Sequence, residues 1–164
     1  MKVFVEEQRF NQWWLYVILA IPLLAPLLAF LFSANYNNSQ EVNAIGISIS
    51  LIIVSLVIIF ILSIRLKTKI DENGVYYQFY PINFNEKFIP WSDISNCYVR
   101  KYNPIVEYGG WGYKMSPFGR GRVLNVKGNR GIQLEFKNGK KLLLGTQSAE
   151  LVEKTLGTYE YKFK

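Results

Sequence analysis

Two long stretches without a charged side chain place the strongest constraint on how this 164-residue chain folds. The first, residues 13–32, reads WWLYVILAIPLLAPLLAFLF, and the second, residues 44–64, reads AIGISISLIIVSLVIIFILSI. At about 1.5 Å per residue, each stretch forms a helix about 30 Å long, which is the thickness of the hydrocarbon core of a bilayer. The sequence therefore predicts a membrane hairpin of two transmembrane helices within residues 1–65.

Two other interpretations of these stretches are less favourable. A buried helix of a soluble protein could explain either one, and a cleaved signal peptide could explain the first. Buried helices seldom run this long without a polar residue, and the first stretch exceeds the apolar part of a signal peptide. It also follows Glu6 and Glu7 and contains two prolines. A retained hairpin is the better interpretation.

The charges flanking the two stretches predict their orientation. Lys2 and Arg9 precede the first and cations follow the second at once, whereas residues 33–43 between them contain no Lys or Arg. Because cations resist transfer across a membrane, both termini are expected to face the cytoplasm. Aromatic and basic side chains near the helix ends are expected to anchor the hairpin at the membrane interface: Trp13, Trp14, Arg65 and Lys67.

The residue types that are scarce in the chain limit its chemistry. It has no His and one Cys, Cys97, and neither apolar stretch contains an ionisable side chain. The commonest metal ligand and the usual base near neutral pH are therefore missing, and a proton relay or ion path has no candidate residue. We predict no catalytic residue, no metal site and no cofactor.

From residue 66 onward the pattern changes to short runs rich in Val, Ile, Tyr, Phe and Leu, separated by Gly, Asn, Asp or Pro. Such runs are typical of strands, and about seven are predicted, with Asn-Gly pairs at 73–74 and 138–139 favouring type I′ hairpin turns. Residues 147–157 have helical spacing after Thr146 as N-cap. Residues 66–164 are thus expected to form an antiparallel β-barrel or sandwich closed by a C-terminal helix, as in pleckstrin-homology-like (PH-like) domains.

Three spaced segments add to this prediction: IPWSDI at Ile89 to Ile94, YGGWG at Tyr108 to Gly112, and GTQ at Gly145 to Gln147. Together with the hairpin they resemble the small bacterial PH-domain proteins with two transmembrane helices, over about residues 10–157. The resemblance implies an α+β membrane protein of the bacterial inner membrane with a cytoplasmic PH-like domain. It also implies a binding or scaffolding role, and it supplies no catalytic residue.

The segment YGGWGYKMSPFGRGR, residues 108–122, is unusually rich in glycine, aromatic residues and cations. It is not a phosphate loop, because it matches neither GxxxxGK[ST] nor GxGxxG and strand-like sequence follows it. We expect an ordered loop between two strands that contacts a partner or lipid. The candidate contact residues are Tyr108, Gly109, Gly110, Trp111, Gly112, Lys114, Arg120, Arg122 and Arg130.

The sequence leaves three functional hypotheses open. The first is a non-catalytic accessory or adaptor subunit that binds a membrane-protein partner or a second copy of itself. The second is a sensor of anionic lipid, because residues 113–141 contain eight cations and one acid. The third is a membrane enzyme without metal or His, although no pair of carboxylates has a spacing that demands it. Nucleic acid is not expected as a partner of a membrane-tethered chain.

Overall fold

The structure is a computed structural model that describes residues 2–35, 44–117 and 119–163. These residues form four α-helices and two β-sheets, which is an α+β arrangement. The chain divides into two compact units: unit 1 contains Met1–Arg9 and Ile64–Lys164, and unit 2 contains Phe10–Ser63. The connection predicted to face away from the cytoplasm lies mostly in residues 36–43, outside the described residues, as does Phe118 of the glycine-rich segment.

Unit 2 consists of helix α1, Trp13–Asn35, and helix α2, Ala44–Ser63, which contact each other. Among the described residues, one window is long and apolar enough to cross a membrane, Gly46–Ser63, and it buries none of its residues. The apolar segment found in α1, Trp13–Pro26, is shorter than a membrane span. Both charge-free stretches are helical, while their crossing of a membrane stays a prediction.

The first sheet of unit 1, sheet A, is an antiparallel meander of four strands. Its strands are β1, Phe4–Arg9; β2, Arg65–Ile70; β3, Gly74–Tyr80; and β4, Lys87–Pro90. Strand β1 differs from the sequence analysis, which assigned residues 1–65 to the hairpin. It belongs to unit 1 because it pairs along its whole length with β2, from Phe4 opposite Ile70 to Arg9 opposite Arg65.

The second sheet of unit 1, sheet B, has five strands in the order β5-β8-β9-β7-β6. They are β5, Ile94–Lys101; β6, Gly112–Met115; β7, Arg122–Asn125; β8, Arg130–Phe136; and β9, Lys141–Gly145. Strands β7 and β9 are parallel and the other pairs are antiparallel. The described strands thus number nine rather than about seven, and they form one antiparallel and one mixed sheet rather than a closed antiparallel barrel.

Hydrogen bonds and ring contacts join the two sheets and the C-terminal helix. The buried Gln8 side chain donates from Nε2 to the Gly145 carbonyl at 2.7 Å, and the rings of Phe79 and Tyr113 lie 6.2 Å apart. Helix α4, Ala149–Tyr159, buries Val152 and contacts β5, β8 and β1. It begins and ends two residues later than predicted. The Thr146 hydroxyl accepts the Ser148 N–H at 3.1 Å, and Ser148 rather than Thr146 is the N-cap.

Both Asn-Gly pairs lie at antiparallel hairpins, but neither forms a type I′ turn. That turn needs a positive φ at both central residues, and no described residue other than glycine has one. Between β2 and β3 the Asp71 carboxylate instead accepts the Asn73 N–H at 2.9 Å. Between β8 and β9 the φ of Gly139 is 79° and its N–H donates to the Phe136 carbonyl. The sequence located these turns correctly and assigned their type wrongly.

Candidate ligand-binding groove

A groove of about 380 Å³ opens in unit 1 between strand β3 and the strands and turns of sheet B. Its size is at the lower end of the range for small-ligand sites. The lining is largely aromatic and aliphatic, with side chains from five strands: Tyr77, Tyr113, Met115, Leu124, Phe136 and Leu142. We call this feature the groove.

The register of sheet B explains why these side chains share one face. Met115 lies opposite Arg122 on the neighbouring strand, and Arg122 lies opposite Leu142 on the next. Two pairs further along, Tyr113 lies opposite Leu124. Because paired residues point to the same side of a sheet, alternate positions of β6, β7 and β9 supply the apolar lining together with one arginine.

Three cations, Arg122, Lys140 and Lys141, also line the groove, and none of the described lining residues is acidic. Arg122 is the first residue of β7 and is exposed. Lys141 forms an ion pair with Glu135 at 3.0 Å. The groove is therefore complementary to a ligand that has an apolar part and a negative charge.

Burial raises the pKa of the Tyr77 phenol above its ordinary value, the Tyr113 phenol adds to that rise, and Arg122 acts in the opposite direction. The Tyr77 hydroxyl is therefore protonated at neutral pH and can donate a hydrogen bond into the groove. An acceptor such as a carboxylate could receive it there.

The glycine-rich segment is a helix end followed by a hairpin rather than a long loop. The short helix α3, Pro104–Tyr108, begins after Asn103, whose Oδ1 accepts the N–H groups of Ile105 and Val106 at 3.1 Å. Gly109 ends it with φ 72° and ψ 24°, a left-handed conformation that favours glycine. Strand β6 starts three positions later. The glycines there end elements, and the expected loop is reduced to residues 116–121.

Most of the predicted contact residues have internal partners. Tyr108 is buried at 3 % exposure and packs edge-to-face on Tyr102, so its ring is not exposed for contact with a partner in this structure. The Trp111 indole N–H donates to the Gly128 carbonyl at 3.0 Å. The Lys114 ammonium donates to the Gly109 carbonyl. These side chains hold the segment against its neighbours, while Gly110 and Gly112 have φ values of 117° and 121°.

Two other predicted contact residues, Arg120 and Arg130, do not line the groove. Arg120 forms an ion pair with Glu107 at 2.8 Å. Arg130 begins β8 and lies opposite Lys101, at the far end of that strand from Phe136. Of the nine predicted contact residues, only Arg122 therefore lines the groove.

Glu107, in helix α3, connects two arginines that do not line the groove. Its Oε2 lies 2.9 Å from Arg100 Nη1 and 2.8 Å from Arg120 Nη1, and its Oε1 accepts the Asn103 N–H at 2.8 Å. Burial alone would raise the pKa of this carboxyl, but the hydrogen bonds from Asn103, Arg100 and Arg120 outweigh burial and lower it. Glu107 is ionised at neutral pH, and its carboxylate holds Arg120, which lies between β6 and β7.

A buried pair of polar side chains, Asn125 and Tyr102, holds the start of strand β6. Asn125 donates from Nδ2 to the Tyr102 hydroxyl at 2.7 Å, and its Oδ1 accepts the Gly112 N–H at 2.8 Å. Burial raises the pKa of the Tyr102 phenol to about 12, although the hydrogen bond from Asn125 lowers it in part. The phenol is therefore neutral, and the pair fixes the start of β6 against β7.

Replacing Tyr102 with Phe is expected to lower the free energy of unfolding by about 1–2 kcal/mol, because the buried Asn125 amide loses its acceptor. The matched control is Tyr161→Phe, since the Tyr161 side chain is exposed and its replacement is expected to change nothing measurable. Hydrogen exchange of the β7 amides in the full chain measures both. An equal effect of the two replacements would show that the Tyr102 hydroxyl contributes nothing.

The other titratable groups offer little reactive chemistry. Cys97 is buried, and burial raises the pKa of its thiol well above the ordinary value. Within the described ranges, no group of three or more His, Cys, Asp or Glu side chains is placed to hold a metal ion. No protein-family model matches the sequence, and no curated protein matches it.

The sequence analysis missed most of the groove. Tyr77, Tyr113, Met115 and Phe136 lie on three different strands, and only the pairing and packing of those strands bring them together. The available signal was the alternation within β6 and β7, which places Tyr113 with Met115 and Arg122 with Leu124. Without the strand order, that alternation does not show which faces meet.

Proposed function

We propose that this chain is a non-catalytic, membrane-anchored binding protein that acts as an accessory subunit or adaptor of an inner-membrane complex. In this proposal α1 and α2 form the membrane hairpin, both termini lie in the cytoplasm, and unit 1 is a PH-like binding domain. The bacterial location and the PH-like assignment are the parts of the proposal that rest on the sequence resemblance to the small bacterial PH-domain proteins.

The anchoring part of the proposal is supported by the uncovered apolar helices. The window Gly46–Ser63 buries none of its residues, and α1 also exposes large apolar side chains such as Ile21 and Leu24. Exposed apolar surface on this scale is unfavourable in water and favourable in a bilayer. Trp13 and Trp14 in the first turn of α1 and the basic residues Arg65 and Lys67 of β2 are the proposed interfacial anchors.

The observation that carries the binding function is the groove, with its apolar lining and its cationic edge. We propose that it receives a segment of a partner protein that has an apolar side chain followed or preceded by a carboxylate. The apolar side chain would pack on Leu124 and Leu142, and the carboxylate would pair with Arg122, which forms bidentate hydrogen bonds well.

Anionic lipid as the ligand of the cations in residues 113–141 has weaker support. Arg120 is paired with Glu107 and Lys141 with Glu135, and Arg130 lies at the far end of β8. These cations therefore do not act as one free basic face. The aromatic lining of the groove suits an apolar side chain better than a hydrated headgroup.

The test is purification of the tagged full-length protein from its native membranes in mild detergent, with mass spectrometry of near-stoichiometric partners. The Arg122→Glu variant is expected to bind the partner about tenfold more weakly or worse, because losing one charge-assisted hydrogen bond costs about 1.5–3 kcal/mol. The matched control is Lys154→Glu on the exposed face of α4, which is expected to retain the partner.

A partner that binds Arg122→Glu as well as the wild type would remove the groove as its site. Recovery of the wild-type protein alone, or only as a homo-oligomer, would contradict the adaptor function. Turnover of a substrate that a carboxylate replacement abolishes would establish the enzyme hypothesis instead.

A further inference from the structure

One end of sheet A carries exposed apolar side chains. Arg9, Arg65 and Tyr80 are directly opposite one another on β1, β2 and β3, so the connection from β3 to β4, residues 81–86, starts at that end. In this connection Ile82 is 49 % exposed and Phe84 is 70 % exposed. We call residues 81–86 the β3–β4 loop.

The loop is held in place by its neighbours. The rings of Tyr80 and Phe84 meet edge-on at 5.5 Å, and the Gln78 amide donates to the Phe84 carbonyl. The Asn83 N–H donates to the Phe79 carbonyl at 2.7 Å. The exposure of Phe84 is therefore a property of an ordered turn, which presents the side chain outward.

The outer face of sheet A beside this loop is basic and aromatic. Alternation along β2 places Arg65, Lys67 and Lys69 on one face, because the buried Leu66, Thr68 and Ile70 occupy the other. The Arg65 guanidinium lies 4.9 Å from the centre of the Tyr80 ring, and the Lys69 ammonium lies 4.6 Å from that of Tyr76.

The aromatic part of this face extends onto β4, and its acidic side chains are few. The Tyr76 and Phe88 ring centres are 4.6 Å apart, and Phe88 is exposed. The nearby acids are Glu7, paired with Arg9 at 2.7 Å, Asp71, paired with Lys69 at 2.8 Å, and the exposed Glu86. Cations next to tyrosines and exposed apolar side chains are the composition found at membrane–water interfaces.

Chain connectivity shows which end of sheet A is joined covalently to the apolar helices. The chain leaves unit 1 after Arg9, and residues 10–12 lead into α1. It returns through Ile64, which joins α2 to β2 at Arg65. Both covalent connections to the apolar helices are therefore at the end of sheet A from which the β3–β4 loop projects.

We propose that the β3–β4 loop inserts Ile82 and Phe84 into the interfacial layer of the bilayer, with Arg65 and Lys67 at the level of anionic headgroups. This inference rests on the proposed membrane anchoring and adds a second contact between unit 1 and the lipid. Attraction of the cations to anionic lipid and burial of the two apolar side chains both favour it.

The test uses the full-length chain reconstituted in nanodiscs that contain phosphatidylglycerol, with an environment-sensitive fluorophore on one engineered cysteine. Cys97→Ala removes the natural thiol, and the labelled sites are Phe84→Cys, Ile59→Cys in α2 and Leu151→Cys in α4. All three side chains are exposed in the structure. Quenching by lipids with a nitroxide on the acyl chain reports contact with the bilayer, and quenching by iodide reports contact with water.

The label at position 84 is expected to be blue-shifted and quenched by the nitroxide lipids, like that at position 59, whereas the label at position 151 is expected to be quenched by iodide. Quenching by lipid at position 59 but only by iodide at position 84 would overturn the loop insertion and leave the membrane anchor intact. Quenching by iodide alone at position 59 would overturn both proposals.

Discussion

Replacing Glu107 with Ala is expected to lower the free energy of unfolding by about 3 kcal/mol. The Glu107 carboxylate is the negative partner of two arginines, and its removal leaves the charge of the more buried arginine uncompensated. The carboxylate is 10 % exposed and accepts from Arg100, Arg120 and the Asn103 N–H. Arg100 is the more buried of the two arginines, at 23 % exposure. Its hydrogen bonds to Gln133 and Tyr108 would remain, but both of these partners are neutral.

The matched control for this prediction is Arg120→Ala. Arg120 is 53 % exposed, so its ion pair is screened by water and its loss is expected to cost less than about 1 kcal/mol. Urea denaturation of the full chain in mild detergent, followed by hydrogen exchange of the β5 and β8 amides, measures both variants. Equal effects of the two replacements would show that Glu107 does not compensate a buried charge.

The same carboxyl predicts a pH dependence. The pKa of Glu107 in the folded chain lies below its ordinary value of 4.5. Its stabilising effect is therefore fully present above that value and is lost as the pH falls through the lower folded pKa. The difference in free energy of unfolding between wild type and Glu107→Gln is expected to shrink as the pH falls below 4.5. A difference that stays constant on acidification would contradict the ionised state of Glu107.

Sequence patterns predicted the structure correctly where it depends on neighbouring residues alone. The charge-free stretches predicted α1 and α2 to within three residues at each end, since helical apolar runs are visible in the sequence itself. Alternation located most strands of sheets A and B in the same way. Strand β1 was missed because FVEEQR contains three charged residues and becomes a strand only by pairing with β2, which follows both helices in the chain.

The site was harder to predict than the fold, because its residues acquire their roles from distant partners. Tyr108 and Arg120 looked like surface contacts, but one is buried beside Tyr102 and the other pairs with Glu107. The parallel pairing of β7 with β9 leaves no local sign in the sequence, yet it places Arg122 beside Leu142. Glycine density was misleading for the same reason, since it marked a helix end and a hairpin connection rather than one long loop.

Replacing Gly121 with Ala is expected to lower the free energy of unfolding by about 3 kcal/mol, through backbone strain and a backbone collision. The φ of Gly121 is 83°, a left-handed value that disfavours a side chain. A Cβ there would lie 2.1 Å from the Lys141 carbonyl oxygen and 2.7 Å from its carbon, both in the backbone of β9. Neither atom can rotate away, so β9 or the β6–β7 connection must move.

Gly139→Ala is the matched control, because it separates the collision from the strain. The φ of Gly139 is 79°, and no described atom lies within 4 Å of the position that a Cβ would take there, so only the left-handed strain of about 1–2 kcal/mol applies.

Both glycines line the groove, and Gly121 also closes the β6–β7 hairpin by accepting the Ser116 N–H at 2.8 Å. Thermal unfolding of the two variants side by side measures the difference. If Gly121→Ala is no more destabilising than Gly139→Ala, the close approach of Gly121 to the Lys141 carbonyl adds nothing to the strain. A larger effect of Gly121→Ala would show that a side chain at this position cannot fit against the backbone of β9, which also contributes Leu142 to the groove.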